Sequence, residues 1–162
     1  MKTSIIFVLF FSLWNLWEND LPQSQPFDRQ VFYKAMSSGN LIQLNDQLIS
    51  IKTVSLPDRK AYEAALLMKK AGLLSNKRTQ LSLFKTGKLV LDSIILVNNE
   101  NCEFRFLRLI IQENSPFFLG YNKQISEDCI LIKKNFNNSP VPLQSIMVNY
   151  SKKATKTKLA VP

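Results

Sequence analysis

The chain has 162 residues, 46% apolar and 20% charged, which is the size and balance of one globular domain with a real core and excludes wholesale disorder. Histidine is absent, so the commonest general base, zinc ligand and triad partner are all missing. A net charge of +9, from 21 basic and 12 acidic residues, favours anionic partners, against the plainer reading of solubility plus a basic tail.

The first segment reads as a secretory leader. Lys2 supplies a minimal positive start and Ile5 to Leu13 (IIFVLFFSL) an apolar run too short to cross a bilayer as a helix, which takes about twenty residues. We place the leader at residues 1–24, with cleavage after Ser24; the alternative is an uncleaved N-terminal anchor with Trp14 and Trp17 at the interface. Export would put Cys102 and Cys129 in an oxidising compartment, so a disulfide has to be considered.

From residue 27 to residue 150 the apolar spacing is helical and predicts a single domain. A first helix carries Phe27, Val31, Phe32, Ala35 and Met36 and stops at Gly39-Asn40. Leu41, Leu44, Leu48 and Ile51 mark a second. A third, starting near Pro57-Asp58 and capped by Ser55, has a small-residue face of Ala61, Ala64, Ala65 and Ala71 and is closed by Gly72. The fourth, about Asn76 to Val97, presents Leu81, Phe84, Val90, Leu91, Ile94 and Ile95. Gly87 in its middle costs about 1 kcal/mol relative to alanine and so predicts a tight helix contact.

Asn99 or Asn101 caps the fifth helix, which buries Phe104, Leu107 and Ile111 and ends in a turn enforced by Pro116. The sixth shows Ile125, Ile132 and Phe136, and Ser139-Pro140 opens a seventh carrying Ile146, Met147 and Tyr150. An antiparallel hairpin turning near Phe118 sets Cys102 opposite about residue 134, leaving Cys129 about 7 Å out of register and a bridge awkward. We therefore expect two free or buried thiols, and no zinc site from two cysteines without histidine. Residues 151–162, with four lysines and no acid, form a basic, frayed tail.

About seven helices in consecutive antiparallel pairs predict an all-α protein, and the pairing suggests a tetratricopeptide-like α-α superhelix. The words VFYKAMSSGNL, AYEAALLMKKAGLL, CEFRFLRLIIQENSPFFLGYNKQISED and LQSIMVNYSKK resemble a family of small exported proteins of Bacteroidota. That resemblance covers nearly the whole mature chain. It implies a helical, tetratricopeptide-like fold and a periplasmic or secreted location in a Gram-negative bacterium, and it brings no catalytic residues.

Arg105 and Arg108 stand three apart on the fifth helix, share a face with Gln112 and have no acid at helical spacing. Three readings compete: pairing with acids of neighbouring helices, Glu63 and Glu113 foremost; plain solvent exposure; or a concave groove in which both guanidiniums capture a carboxylate or phosphate, with Tyr62, Lys69 and Lys70 as neighbours. Glu103, in a first turn, suits the helix dipole better than a catalytic role. Phe117-Phe118 either plugs the end of the hairpin or stands exposed as bait for a partner.

No phosphate loop, nucleophile elbow or metal-binding helix motif is present, so we expect no cofactor, no metal and no enzyme. The leading expectation is an exported scaffold whose groove binds a peptide or protein through Arg105, Arg108, Gln112, Tyr62 and Lys69. The alternative is a basic envelope protein binding anionic lipid or polysaccharide. Nucleic acid is disfavoured, because Phe104 and the two arginines point different ways on their helix.

Overall fold

The structure, a computed structural model, describes residues 27–153 and 159–161. The leader expected at 1–24 and residues 154–158 of the tail lie outside them. Among the described residues there are seven α-helices and no strand, so the all-α expectation is met.

Polar caps set most of the boundaries. In α1 (Arg29–Ser38) the Asp28 carboxylate accepts from the amides of Gln30 and Val31, and Gly39 ends the helix at φ +68°. Asn40 opens α2 (Leu41–Ser50) in the same way, and a 3-10 turn at Ile51–Thr53 follows. Asn76 caps α4 (Lys77–Val97), and Asn101 caps α5 (Cys102–Asn114). Short polar side chains satisfy amides that a helix start leaves orphaned. One cap differs from expectation. At α3 (Asp58–Ala71) no side chain caps the start, and Ser55 contributes only its carbonyl, which accepts from Arg59 N at 3.0 Å.

The tightest contact is between α3 and α4. A Cβ built on Gly87 would lie 2.5 Å from the carbonyl oxygen of Ala64 and 2.7 Å from Met68 Cγ, so the glycine lets the two backbones meet, as its spacing predicts. The same antiparallel register brings Leu81 level with Gly72, where α3 has ended. Leu81 is accordingly 44% exposed rather than core. Val31, also expected inside, is half exposed, because α1 turns Phe32, Tyr33, Ala35 and Met36 inward instead.

Helix α5 is the axis of the molecule. Twelve of its 13 residues are buried, and a helix buried all round has to be surrounded. It packs on α3, α4 and α6 (Ile125–Asn135), while α1 meets α7 (Val141–Lys153) across the chain's length. An open superhelix joins each pair only to the next. These contacts are those of a helical bundle around α5, so of the expected architecture the helical pairs are present and the tetratricopeptide-like superhelix is not confirmed.

The C-terminal segment is also less loose than its composition suggests. Residues 151–153 belong to α7, and Leu159 is 3% exposed within the core, with Val161 packed beside it. A leucine in that basic stretch has apolar area to bury, which the lysines around it obscure in the sequence. No disulfide joins Cys102 and Cys129, both buried; Cys102 Sγ lies 3.7 Å from the carbonyl of Ile132, close to the expected register.

Candidate functional site

The five residues expected to form one site fall in three places. Arg105, Arg108 and Gln112 lie in the seam between α5 and α6, at 5%, 6% and 2% exposure. Asp128, fully buried on α6, accepts from Arg105 Nη1 at 3.0 Å, Arg108 Nε at 2.8 Å and Arg108 Nη2 at 2.6 Å. Glu127 Oε1 takes Arg105 Nη1 at 2.6 Å, and Asp92 Oδ1 of α4 lies 3.5 Å from Arg108 Nη1. Burial opposes the Arg108 cation, but the hydrogen bonds and charge of Asp128 prevail and raise its pKa. The acids named in advance are not the partners: Glu63 is exposed, and Glu113 accepts from the Tyr150 hydroxyl. Nor do the arginines line a groove, since the antiparallel hairpin places Asp128 over them, and Arg105 Nε donates to the Asn99 carbonyl at 2.9 Å. Gln112 donates to Gln124 Oε1 at 2.8 Å in the same seam.

Tyr62 lies on the opposite side of α5. Its hydroxyl donates to Glu103 Oε1 at 2.7 Å; Arg29 Nε reaches both oxygens of that carboxylate at 3.1 Å, and the Tyr33 hydroxyl stands 3.4 Å away. Glu103 is therefore more than a first-turn charge: it ties α1 and α3 to α5. Burial raises its pKa, against the hydrogen bond from Tyr62 and the charge of Arg29. Burial, and then Glu103, likewise push both tyrosines up.

That cluster sets up a pH dependence. Between the ordinary carboxylate value and the raised folded value, the folded chain holds a proton that the unfolded chain has lost. Stability from this group therefore falls as pH rises through that window. Glu103→Gln removes the proton exchange. We expect the difference in urea midpoint between wild type and variant to change from about pH 4 upwards until Glu103 is ionised in the folded chain. A flat difference across that range contradicts the assignment.

Lys69, alone of the five, lines the cleft between α1 and α7. It stands on the edge of a cavity of about 470 Å³ between α1, α3, α5 and α7. The size is that of a small-molecule or side-chain site. The floor is apolar: Met36 from α1, Phe106, Ile110 and Ile111 from α5, and Ile146 from α7. Phe106 lies between Tyr33 and Tyr150, its centroid 5.4 Å from each ring. The two tyrosine hydroxyls turn to Glu103 and Glu113, which leaves the rings for the cleft. Three lysines, Lys34, Lys69 and Lys153, line the cleft, and no acid does. Burial lowers the pKa of the Lys69 ammonium, a cost that an incoming carboxylate would relieve.

Nothing in the sequence marks this cleft, because its walls come from helices far apart in the chain. Among the described residues no group of three or more cysteines and acids could hold a metal ion, and no helix is long and apolar enough to cross a membrane. Comparisons with protein-family models, with curated proteins and with solved structures find no match to this chain.

Proposed function

We propose that this chain is an exported, non-enzymatic helical binding module, and that the cleft between α1, α3, α5 and α7 takes an acidic amphipathic peptide segment of a partner protein. The observation that carries the reading is the pairing of an aromatic and aliphatic floor with three lining lysines and no acid. An apolar anchor would fill the floor beside Phe106, and carboxylates flanking it would meet Lys34, Lys69 and Lys153. The short apolar run at residues 5–13 supports export.

The role first assigned to Arg105 and Arg108 passes to these lysines. The arginines are engaged by Asp128, whereas the lysine ammoniums stand at the cleft with no carboxylate lining it.

Binding of a fluorescent helical peptide with leucines on one face and glutamates beside them tests the reading. Lys34→Glu, Lys69→Glu and Lys153→Glu together are expected to weaken it about tenfold to a hundredfold, each charge contact at a partly exposed site being worth up to about 1 kcal/mol. Equal affinity of wild type and triple variant, both folded by circular dichroism, overturns the proposal.

A further inference from the structure

The turn after α5 presents two phenylalanines to solvent. Phe117 and Phe118 are 85% and 84% exposed, the most exposed large apolar side chains among the described residues. Neither plugs the hairpin. The turn is nonetheless held on both sides: Leu119 N and Gly120 N donate to the carbonyls of Pro116 and Phe117 at 3.0 Å, and Gly120 adopts φ +60°. Tyr121, next along, is 2% exposed and donates to Asp92 Oδ1 at 2.8 Å. A segment pinned at Tyr121 that still turns two phenyl rings outward is built to present them.

The surroundings are cationic. Helix α3 runs alongside α5 in the same direction, since Tyr62 meets Glu103 and Lys69 shares the cleft with Asn114. Helix α7 does the same, since Met147 meets Cys102 at the start of α5 and Tyr150 meets Glu113 near its end. Helix α4 returns against α3, so its exposed start, Lys77-Arg78, sits at the same end. The end of α7, Lys152-Lys153, and the exposed Lys123 complete this pole. The acids nearest it, Asp92, Glu113 and Glu127, are each taken by partners within the fold: Lys88, Tyr121 and Arg108 for the first, Tyr150 for the second and Arg105 for the third. Lysines at the end of α7 answer the helix dipole; Lys77, Arg78 and Lys123 have no such reason to gather there.

We propose that this pole docks on an anionic lipid bilayer, Phe117 and Phe118 entering the interface while Lys77, Arg78 and Lys123 meet the headgroups. Cations alone would suit any polyanion. The two rings favour a bilayer, because they protrude from a turn with no cleft around them, and an interface offers protruding rings an apolar phase beside fixed negative charge. Contact is peripheral, as the described helices include none able to cross a membrane. The surface is distinct from the cleft and stands whether or not a peptide binds there.

Co-sedimentation of the full chain with vesicles of phosphatidylcholine, with and without phosphatidylglycerol, tests it. Partition is read at lipid concentrations where wild type is about half bound, so that a constant contribution of residues 1–26 leaves the differences between variants and between vesicles measurable. Phe117→Ser/Phe118→Ser is expected to lower partition onto the anionic vesicles about tenfold or more. Lys77→Glu/Arg78→Glu/Lys123→Glu is expected to lower it about a hundredfold, and added salt to release the wild type. Both variants change exposed side chains and should keep the wild-type unfolding midpoint. Retention of the phenylalanine variant at the wild-type level overturns the proposal in favour of charge alone. Equal partition of the wild type onto neutral and anionic vesicles overturns it as well.

Discussion

Asp128→Ala is expected to cost about 3–5 kcal/mol of folding stability, because it leaves two buried guanidiniums without the carboxylate that neutralises them. Arg105 and Arg108 are only 5% and 6% exposed, and water cannot take the place of Asp128 without opening the α5–α6 seam. Glu127 and Asp92 retain one contact each, but both stand at the edge, with side chains 57% and 31% exposed. Urea unfolding of wild type and variant checks this. A loss under about 1 kcal/mol would mean that the seam is wet and the network peripheral. Replacing Arg105, Arg108 and Asp128 together by apolar side chains of similar volume should recover much of the loss, since desolvation and pairing vanish together.

The second large effect is steric. Gly87→Val is expected to cost about 3 kcal/mol, although valine is the better helix former by several tenths. Its Cβ would stand 2.5 Å from Ala64 O, a backbone atom fixed within α3 that cannot rotate away. Relief requires α3 and α4 to separate, which unpacks Leu91 and Ile95 from the same interface. Thermal or urea unfolding reads the change. A variant at least as stable as wild type would contradict the close approach of α3 and α4 at this glycine.

These two sites show what the sequence carried. Gly87 was legible because a glycine in mid-helix opposes local propensity, and close backbone approach is the commonest reason to keep one there. The cap at Asn101 was legible for a similar reason, a short polar side chain standing just ahead of an apolar period, whereas Asn40, expected as a helix stop, and Asn76, expected inside its helix, are also caps. The partner of the arginines was within reach. The register that sets Cys102 opposite residue 134 also sets Arg108 opposite residue 128, and Asp128 is there. Pairing with an acid of a neighbouring helix is thus legible, and only the acid differs: Asp128 rather than Glu63 or Glu113.

The cleft was not legible, because nothing local marks it. Tyr33, Phe106 and Tyr150 each fit a helix period as ordinary core residues, and only the meeting of α1 with α7 beside α5 brings them together. That contact also separates a closed bundle from an open stack, two arrangements that the same helical spacing allows. The buried Leu159 is a parallel case, a single anchor inside a stretch whose composition is that of a loose tail.

Amide chemical shifts of the labelled protein, followed while the glutamate-bearing amphipathic peptide is added, test the central claim most directly. Changes are expected to centre on Lys34, Phe106, Asn149 and Tyr150, with none when lysines replace the peptide's glutamates. Changes confined to the α5–α6 seam around Arg105 and Arg108, or equal responses to both peptides, would contradict it.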